Sequence, residues 1–451
     1  MHPRANRTAQ RTAPPPEHVV PHWYMYPPKS SFGPATRPVD ITDELAMAAQ
    51  ELCGIYIHIP FCGVKCSFCS LFTTPGSTEG SIDVYVDHLV QEINQFGRHL
   101  GNKPPRVGTV YFGGGTPSLL TDEHLMRIMS ALRTTLPFAG SCICSVEFSP
   151  ETVTLERAVI WREAGFSRAS LGVQTFDDAL LAVMRRGHSE AAAVGAYQLL
   201  SSASFPEINV DLIFGSAGQD AAHWLEDLDT VLRLGATSCT FHPAATHSKT
   251  ALEHKSRFAS VALADKKQLH GQAIDFFESL GWARTSVLSY SRTGRPNPLE
   301  EYEADGRPTI GFGVSARSYY PTKHLASAPY HVHQSAKRVI QDYYELVASG
   351  ELPVASTATL DAEEGIRRNV VLGVNRGHVS LDAIRALDAL TEEAEGSRTI
   401  QALVADGQMI QVATDTVGLT ALGVVEAGEI GFLYSSAAVR RALSRVSRCE
   451  W

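Results

Sequence analysis

The 451-residue chain contains no apolar run approaching the ~20 residues that a membrane-spanning helix needs. Its first residues include arginines but no apolar stretch after them, which argues against a secretory leader. Positive charge is also scarce. Against 48 Asp and Glu there are 39 Lys and Arg, and a net charge of -9 argues against general nucleic-acid binding. Cysteine is limited to eight residues, which show no paired spacing of the kind a disulfide framework requires. Together these absences point to a cytoplasmic protein with reduced thiols and with neither membrane nor nucleic acid as a partner. The remaining composition, 44% hydrophobic and 19% charged, suits a soluble enzyme of two or three domains.

Three of the eight cysteines stand within eight residues, in "YIHIPFCGVKCSFCSLF" from Tyr56 to Phe72. The spacing of Cys62, Cys66 and Cys69 is C-x3-C-x2-C, directly after a strand-like run. An odd number does not suit disulfides, and a structural zinc usually takes four ligands. Three thiolates can grip three corners of a [4Fe–4S] cluster and leave one iron open to a substrate's amino nitrogen and carboxylate oxygen. The alternative is a zinc site completed by His58 or another residue, although a histidine on a strand is more often a hydrogen-bonded structural residue than a ligand. Cys53, Cys142, Cys144, Cys239 and Cys449 show no such spacing and read as packing residues. The basic tail with Arg440, Arg441, Arg445 and Arg448 reads as a solvated helix face.

Residues 1–50 form a proline-rich, aperiodic extension, with disorder expected in its first fifteen or so residues. Its aromatic part, Trp23 to Phe32, is able to fold back onto the body. Residues 51–325 then alternate short β-branched runs with helical periodicity. Strands are expected at 54–59, 107–112, 143–148, 168–173, 207–213 and 237–241, and helices near 81–98, 121–135, 154–164, 177–200 and 220–234. Strands separated by helices pair in parallel through right-handed crossovers, so the expectation is α/β: a twisted parallel sheet or an incomplete, TIM-like (β/α)6 barrel. In either case ligands gather at the carboxyl ends of the strands. Residues 326–451 predict helices near 333–348, 361–373 and 381–393. "GQMIQVATDTVGLT" then reads as a hairpin between two helices. That is a helical C-terminal domain of winged-helix type, acting as lid or scaffold rather than on DNA.

The cysteine loop resembles that of the radical S-adenosylmethionine (SAM) superfamily. The words "YIHIPFC", "YFGGGTPS", "EFSPE", "RASLGVQTF", "INVDLIFG" and "GFGVSARS", in order from about residue 54 to 320, resemble the oxygen-independent coproporphyrinogen dehydrogenase branch. "HWYMYPPKSSF" is similar to a Tyr-Pro lead-in of some of its members. The resemblance implies that Cys62, Cys66 and Cys69 hold a [4Fe–4S] cluster. It also implies that SAM lies against Gly114, Gly115 and Thr116 at its methionine end, where missing side chains permit close backbone approach. Glu147 would meet the SAM amino group; Gln174, Arg186 and Asp211 would meet the ribose and carboxylate. Tyr56 would contact SAM, Phe68 would cover the adenine, and Phe241 and Ala244 would line the same pocket.

By the same resemblance, an electron from a flavodoxin- or ferredoxin-type donor cleaves SAM to a 5′-deoxyadenosyl radical, which attacks a small-molecule substrate. No residue is singled out as catalytic. Relatives that oxidise coproporphyrinogen carry a further cysteine two residues past the third ligand, where this chain has Leu71. Relatives that carry haem show a His-Asn-x-x-Tyr-Trp word, where this chain has Pro296 in place of the histidine and no tryptophan. By elimination the expectation is the class C methylating branch, in which a second SAM donates a methyl or methylene group to an sp2 carbon of a natural product or tetrapyrrole. Coproporphyrinogen III oxidation and haem carriage are the alternatives.

Overall fold

The run "LCGIYIHI" is apolar at nearly every position, the pattern of a strand covered on both faces. In the computed structural model, which describes residues 23–244, 261–328 and 335–444, it is β1 (Leu52–Ile59) at the centre of a large sheet. β2 (Arg106–Gly114), β3 (Phe138–Phe148), β4 (Phe166–Gln174), β5 (Glu207–Phe214) and β6 (Ser238–Pro243) follow in sequence and in space, each parallel to the last. All six expected strands are present, and the architecture is the α/β, partial TIM-like barrel read from the sequence. The proline-rich stretch 1–22 and the positions Arg445, Arg448 and Cys449 lie outside the described residues.

The sheet extends further than expected. A seventh parallel strand, β7 (Thr309–Phe312), pairs with the outer side of β1, and antiparallel strands continue from both flanks to give thirteen in all. One flank is Ser289–Ser291 and Ala283–Ser286. The other is Arg317–Tyr319, Lys323–Ala326, Ser356–Thr359 and the short Gly33–Pro34. Residues from the N-terminal and C-terminal segments are thus sewn into the same sheet.

The helices α1 (Glu79–Phe96), α2 (Asp122–Thr135) and α3 (Leu155–Glu163) begin at Thr78, Thr121 and Thr154, whose side chains accept from first-turn amides. The helix expected over 177–200 is two: α4 (Asp178–Val183) and α5 (Glu190–Ser202). Between them Arg185 adopts a left-handed φ of 57°, and Ser189 caps a fresh helix. This break puts Arg186 in a loop. α6 (Ala221–Leu234) and α7 (Leu263–Ser279) complete the outer layer, and α8 (Pro298–Ala304) precedes β7.

Beyond the barrel, α9 (Ala336–Ser349), α10 (Ala362–Arg376) and Leu381–Asp388 match the expected helices in place. The expected hairpin forms from Met409–Ala413 and Thr416–Leu419, and His378–Ser380 adds a third strand, as in a winged helix. One continuous apolar core runs from between sheet and helices into this region. The aromatic lead-in is clamped against it. Trp23 is 0% exposed and its indole Nε1 donates to Gly428 O at 3.0 Å, while the Tyr26 hydroxyl donates to Glu364 Oε2 at 2.6 Å. Gly431 leaves room for the indole: a Cβ there would come within 2.5 Å of the ring.

Candidate metal centre and cofactor pocket

The loop after β1 is closed by its own backbone. Phe61–Cys62 pairs with Thr74–Pro75, and Ser67 is tied to the α4 terminus through Met184 O at 3.0 Å and Val183 O at 3.1 Å. Cys62, Cys66 and Cys69 are free thiols, each partly exposed, whereas Cys53, Cys144 and Cys239 are buried. Burial pushes the Cys62 thiol up to about 11 and also raises Cys69, so a metal must displace their protons on binding. Thr116 hydrogen-bonds Cys62 and softens that shift.

Among the described residues no three His, Cys, Asp or Glu converge as the ligands of a single ion would. His58 is no candidate fourth ligand. Its Nε2 donates to Phe72 O at 2.9 Å, its Nδ1 accepts from the Tyr56 hydroxyl at 3.1 Å, and burial holds it neutral, near 4. Three thiols without a fourth protein ligand suit a multi-iron cluster with one open iron better than a closed zinc site.

The glycine-rich end of β2 passes directly over this loop. Gly115 N and Thr116 N donate to Ile59 O and Phe61 O, both at 2.7 Å. A Cβ on Gly115 would lie 2.5 Å from Phe61 O and 3.0 Å from Cys62 Sγ, so only glycine fits there.

Glu147, at the end of β3, accepts from the Tyr111 hydroxyl at 3.0 Å and from Gly114 N at 3.2 Å. Burial first, then the neighbouring Asp211 charge, push its carboxyl up to about 7. The Tyr111 ring stacks on Tyr56 with centroids 6.2 Å apart. Asp211 on β5 accepts from Ser170 Oγ and Asn209 Nδ2, both at 2.7 Å, and burial raises it to about 6. Gln174 closes β4 with a left-handed φ of 76°, an uncommon conformation for this residue type, at a break in register with β5.

Arg186 joins the two halves of the site. It donates from Nη1 to Cys66 Sγ at 3.2 Å, and from Nη2 to Ser149 Oγ at 3.1 Å and Gly172 O at 2.7 Å. Its Nε is buried with no hydrogen-bond partner. An orphaned guanidinium N–H beside the thiols is the fit expected for an anionic ligand.

Phe68 and Ala244 come together in one small apolar cluster with Met184 and Ile213. The latter two were not picked out from the sequence. Ile213 is two residues past Asp211 and so on the same strand face, a signal that was there to use. Phe241 is a correction. It is 0% exposed and its ring packs outward among Phe214, Trp224, Phe277 and Tyr290, with centroids 6.0, 5.9, 6.1 and 6.2 Å away. Thr240 is the register partner of Asp211 and faces inward with it, so strand alternation turns Phe241 away from the pocket.

Further inside, a cavity of about 80 Å³ is lined by Tyr24, Thr240, His242, Pro296, Glu300 and Glu303, among others. Tyr24 is half-exposed, and burial of its hydroxyl end raises that group. Its hydroxyl donates to His242 Nδ1 at 2.9 Å.

Residues 56–231 match the family model of the radical SAM superfamily. Curated relatives include anaerobilin synthase from Escherichia coli, 28% identical over 358 residues that cover 76% of this chain and 78% of the relative. Heme chaperone HemW from Mycobacterium tuberculosis is 29% identical over 391 residues, covering 86% and 95%. The oxygen-independent coproporphyrinogen III oxidase of Bradyrhizobium diazoefficiens is 25% identical over 371 residues, covering 79% and 80%. Among solved structures, the coproporphyrinogen III oxidase (HemN) from Escherichia coli matches the fold with a TM-score of 0.77 at 22% identity, over 92% of this chain and 97% of that one. Residues 56–231, which hold the three thiols, the glycine cradle and the orphaned arginine, thus match the radical SAM superfamily, and the chain is similar in sequence to coproporphyrinogen oxidases and haem chaperones.

Proposed function

We propose that the chain is a radical SAM oxidoreductase acting on a tetrapyrrole, with the cluster held by Cys62, Cys66 and Cys69 and one SAM beside it. The observation that carries this reading is Arg186, whose guanidinium touches Cys66 and keeps an unsatisfied Nε. When bound, the cluster and SAM supply a carbon radical that removes hydrogen from a substrate. The chain's own groups bind, orient and exclude water. Arg186 takes a carboxylate, Glu147 ionises against the ammonium, and Gln174 and Asp211 face the ribose hydroxyls. Phe68, Met184, Ile213 and Ala244 form the apolar slot for the adenine. The tetrapyrrole follows the named relatives, each of which makes, carries or oxidises one. The reductant is a low-potential flavodoxin- or ferredoxin-type protein, in a cytoplasmic setting. Among the described residues no helix is long and apolar enough to cross a membrane.

Methyl or methylene transfer from a second SAM is the second reading. Two observations favour it: Leu71, 46% exposed, replaces the cysteine of the oxidising relatives, and Pro296 lines the inner cavity where a haem-ligating histidine would stand. None of the relatives named above is named for methyl transfer, so oxidation comes first.

The test is anaerobic reconstitution with reductant, methyl-deuterated SAM and either coproporphyrinogen III or haem, followed by mass spectrometry. 5′-Deoxyadenosine with carbon dioxide supports oxidation, and deoxyadenosine with S-adenosylhomocysteine and deuterium in the product supports methyl transfer. Tight haem binding without SAM cleavage would replace both readings with a carrier role.

A further inference from the structure

The inner face of the barrel holds a second cationic position, remote from Arg186. Tyr56 on β1 is in register with Gly311 on β7, and the backbone of Arg317 on the next strand lies against Gly311. Thr309 pairs with Tyr319 across those same two strands. Alternation therefore puts Tyr56, Gly311, Arg317 and Tyr319 on one face. Gly311 between them is a close approach: a Cβ there would come within 2.2 Å of Arg317 O, so only bare backbone lets the Arg317 strand pack in, with Tyr56 and Arg317 two strand spacings, about 10 Å, apart.

Arg317 lacks the kind of partners that Arg168 and Arg186 possess. Arg168 is ion-paired with Glu207 at 2.7 Å, and Arg186 makes three hydrogen bonds. Arg317 Nη1 donates only to the Met25 thioether at 2.7 Å and to the Tyr319 hydroxyl at 3.3 Å. A thioether is a weak acceptor. The side chain makes no ion pair with any described residue and is partly exposed.

Its surroundings do not supply a counter-charge. Arg368 is buried nearby, donates to Glu303 O at 2.8 Å and likewise has no ion pair among the described residues. Both arginines act on Glu303, whose carboxyl burial raises to about 7. His324, cross-strand from Tyr319, is fully buried with both ring nitrogens unpartnered and is held neutral by burial. Two guanidinium groups thus stand in this interior with no ion pair among the described residues. A cation in such a place calls for an anion, and the planar fork of arginine matches a carboxylate.

We propose that Arg317, with the Tyr319 hydroxyl beside it, anchors a carboxylate of the ligand that shares the barrel interior with the cofactor. Resting on the reading above, that carboxylate is a propionate arm of the tetrapyrrole or the amino-acid end of a second SAM. Arg317 is a binding residue for that group, and Gly311 lets the strand that carries it pack closely against β7.

The test uses the full chain, reconstituted without oxygen, as wild type, Arg317→Met and Arg317→Lys. One arm compares binding of coproporphyrin III with its tetramethyl ester; the other counts equivalents of SAM and of its decarboxylated analogue. Wild type is expected to prefer the free acid about tenfold or more, or to bind a second equivalent of SAM that the analogue does not replace. Arg317→Met abolishes that discrimination with iron content and the first SAM equivalent unchanged, and Arg317→Lys restores part of it. The arm that responds names the source of the carboxylate. Discrimination retained by Arg317→Met in both arms, or absent from both arms in wild type, overturns the proposal. Should wild type bind neither acid nor ester, the tetrapyrrole reading fails on its own, and the SAM arm alone decides Arg317.

Discussion

Replacing Gly115 by alanine tests whether the glycine cradle and the cysteine loop are one device. The added methyl would sit 2.5 Å from Phe61 O, 2.9 Å from Ile59 O and 3.0 Å from Cys62 Sγ. Ordinary carbon–oxygen approach is about 3.3 Å or more, so roughly 0.8 Å must be recovered by moving backbone. The two carbonyls cannot withdraw freely, because they accept from Gly115 N and Thr116 N at 2.7 Å. Overpacking of this kind costs about 1–3 kcal/mol, and losing the two hydrogen bonds adds about 1 kcal/mol each. The sum, about 3–5 kcal/mol, falls on the segment that carries Cys62.

The assay is iron per chain after anaerobic reconstitution, with thermal unfolding alongside. Wild type should take up about four irons, and Gly115→Ala should take up less than about one. Gly113→Ala is the control. Its methyl would meet only side-chain atoms, Glu147 Oε1 at 2.8 Å, Tyr111 at 2.9 Å and Tyr56 at 3.1 Å, which can swing aside. It should keep its iron and lose SAM affinity by about tenfold or more, through the displaced Glu147 carboxylate. A Gly115→Ala protein with full iron content and wild-type melting would refute the coupling of cradle and cluster loop.

Glu147, raised to about 7, must ionise to meet an ammonium, so SAM affinity should climb up to tenfold per pH unit below about 7 and level off above about 8. Asp211→Asn, by removing a neighbouring charge, should move that midpoint to lower pH; a flat profile in wild type would contradict the assignment. The same raised carboxyl stabilises the SAM-free fold fully only below the ordinary glutamate range, and this stability is lost as pH rises through about 7. SAM-free protein should therefore gain more from SAM in melting temperature at pH 8 than at pH 6. Arg186→Met should reduce SAM affinity about a hundredfold in equilibrium binding while the iron count stays measurable, since the cluster thiols keep their loop; unchanged affinity would remove Arg186 from the site. Trp23→Ala should cost about 3–5 kcal/mol in denaturant unfolding, because the buried indole links the N-terminal segment to Gly428 and to the Gly431 gap; a cost below about 1 kcal/mol would mean that the clamp is not formed.

How far the sequence could be read depended on which face of each strand was apolar. Six strands and their helices were legible because a parallel sheet buries both faces and its runs are long and β-branched. β7 was missed because Thr309–Phe312 is only four residues long and contains a glycine. The break between α4 and α5 was hidden because helical periodicity continues across it, and a left-handed Arg185 leaves no compositional mark. Phe241 was given to the pocket because it stands at the end of the sixth expected strand, where the resemblance puts the cofactor. Thr240 and His242 line the inner cavity, and the aromatic residue belongs to the apolar layer under α6 and α7.

The two halves of the site differ in how they are written, and that difference explains why chemistry was legible and substrate was not. The cluster and SAM half is made of short contiguous words at strand ends: three cysteines in eight residues, three glycines in a row, a carboxylate closing β3. Each word is read locally, because the groups it presents act on one small ligand. The inner half is made of residues far apart in the chain. Tyr24 bonds His242 across 218 positions, Trp23 reaches Gly428 across 405, and Arg317 meets Met25 across 292. No spacing records such pairs, since they exist only once the N-terminal segment is clamped between barrel and C-terminal helices. A barrel whose cluster loop is written in local motifs and whose inner wall is assembled from distant segments leaves that wall free to vary without rewriting the loop, which is why one fold can host several outcomes.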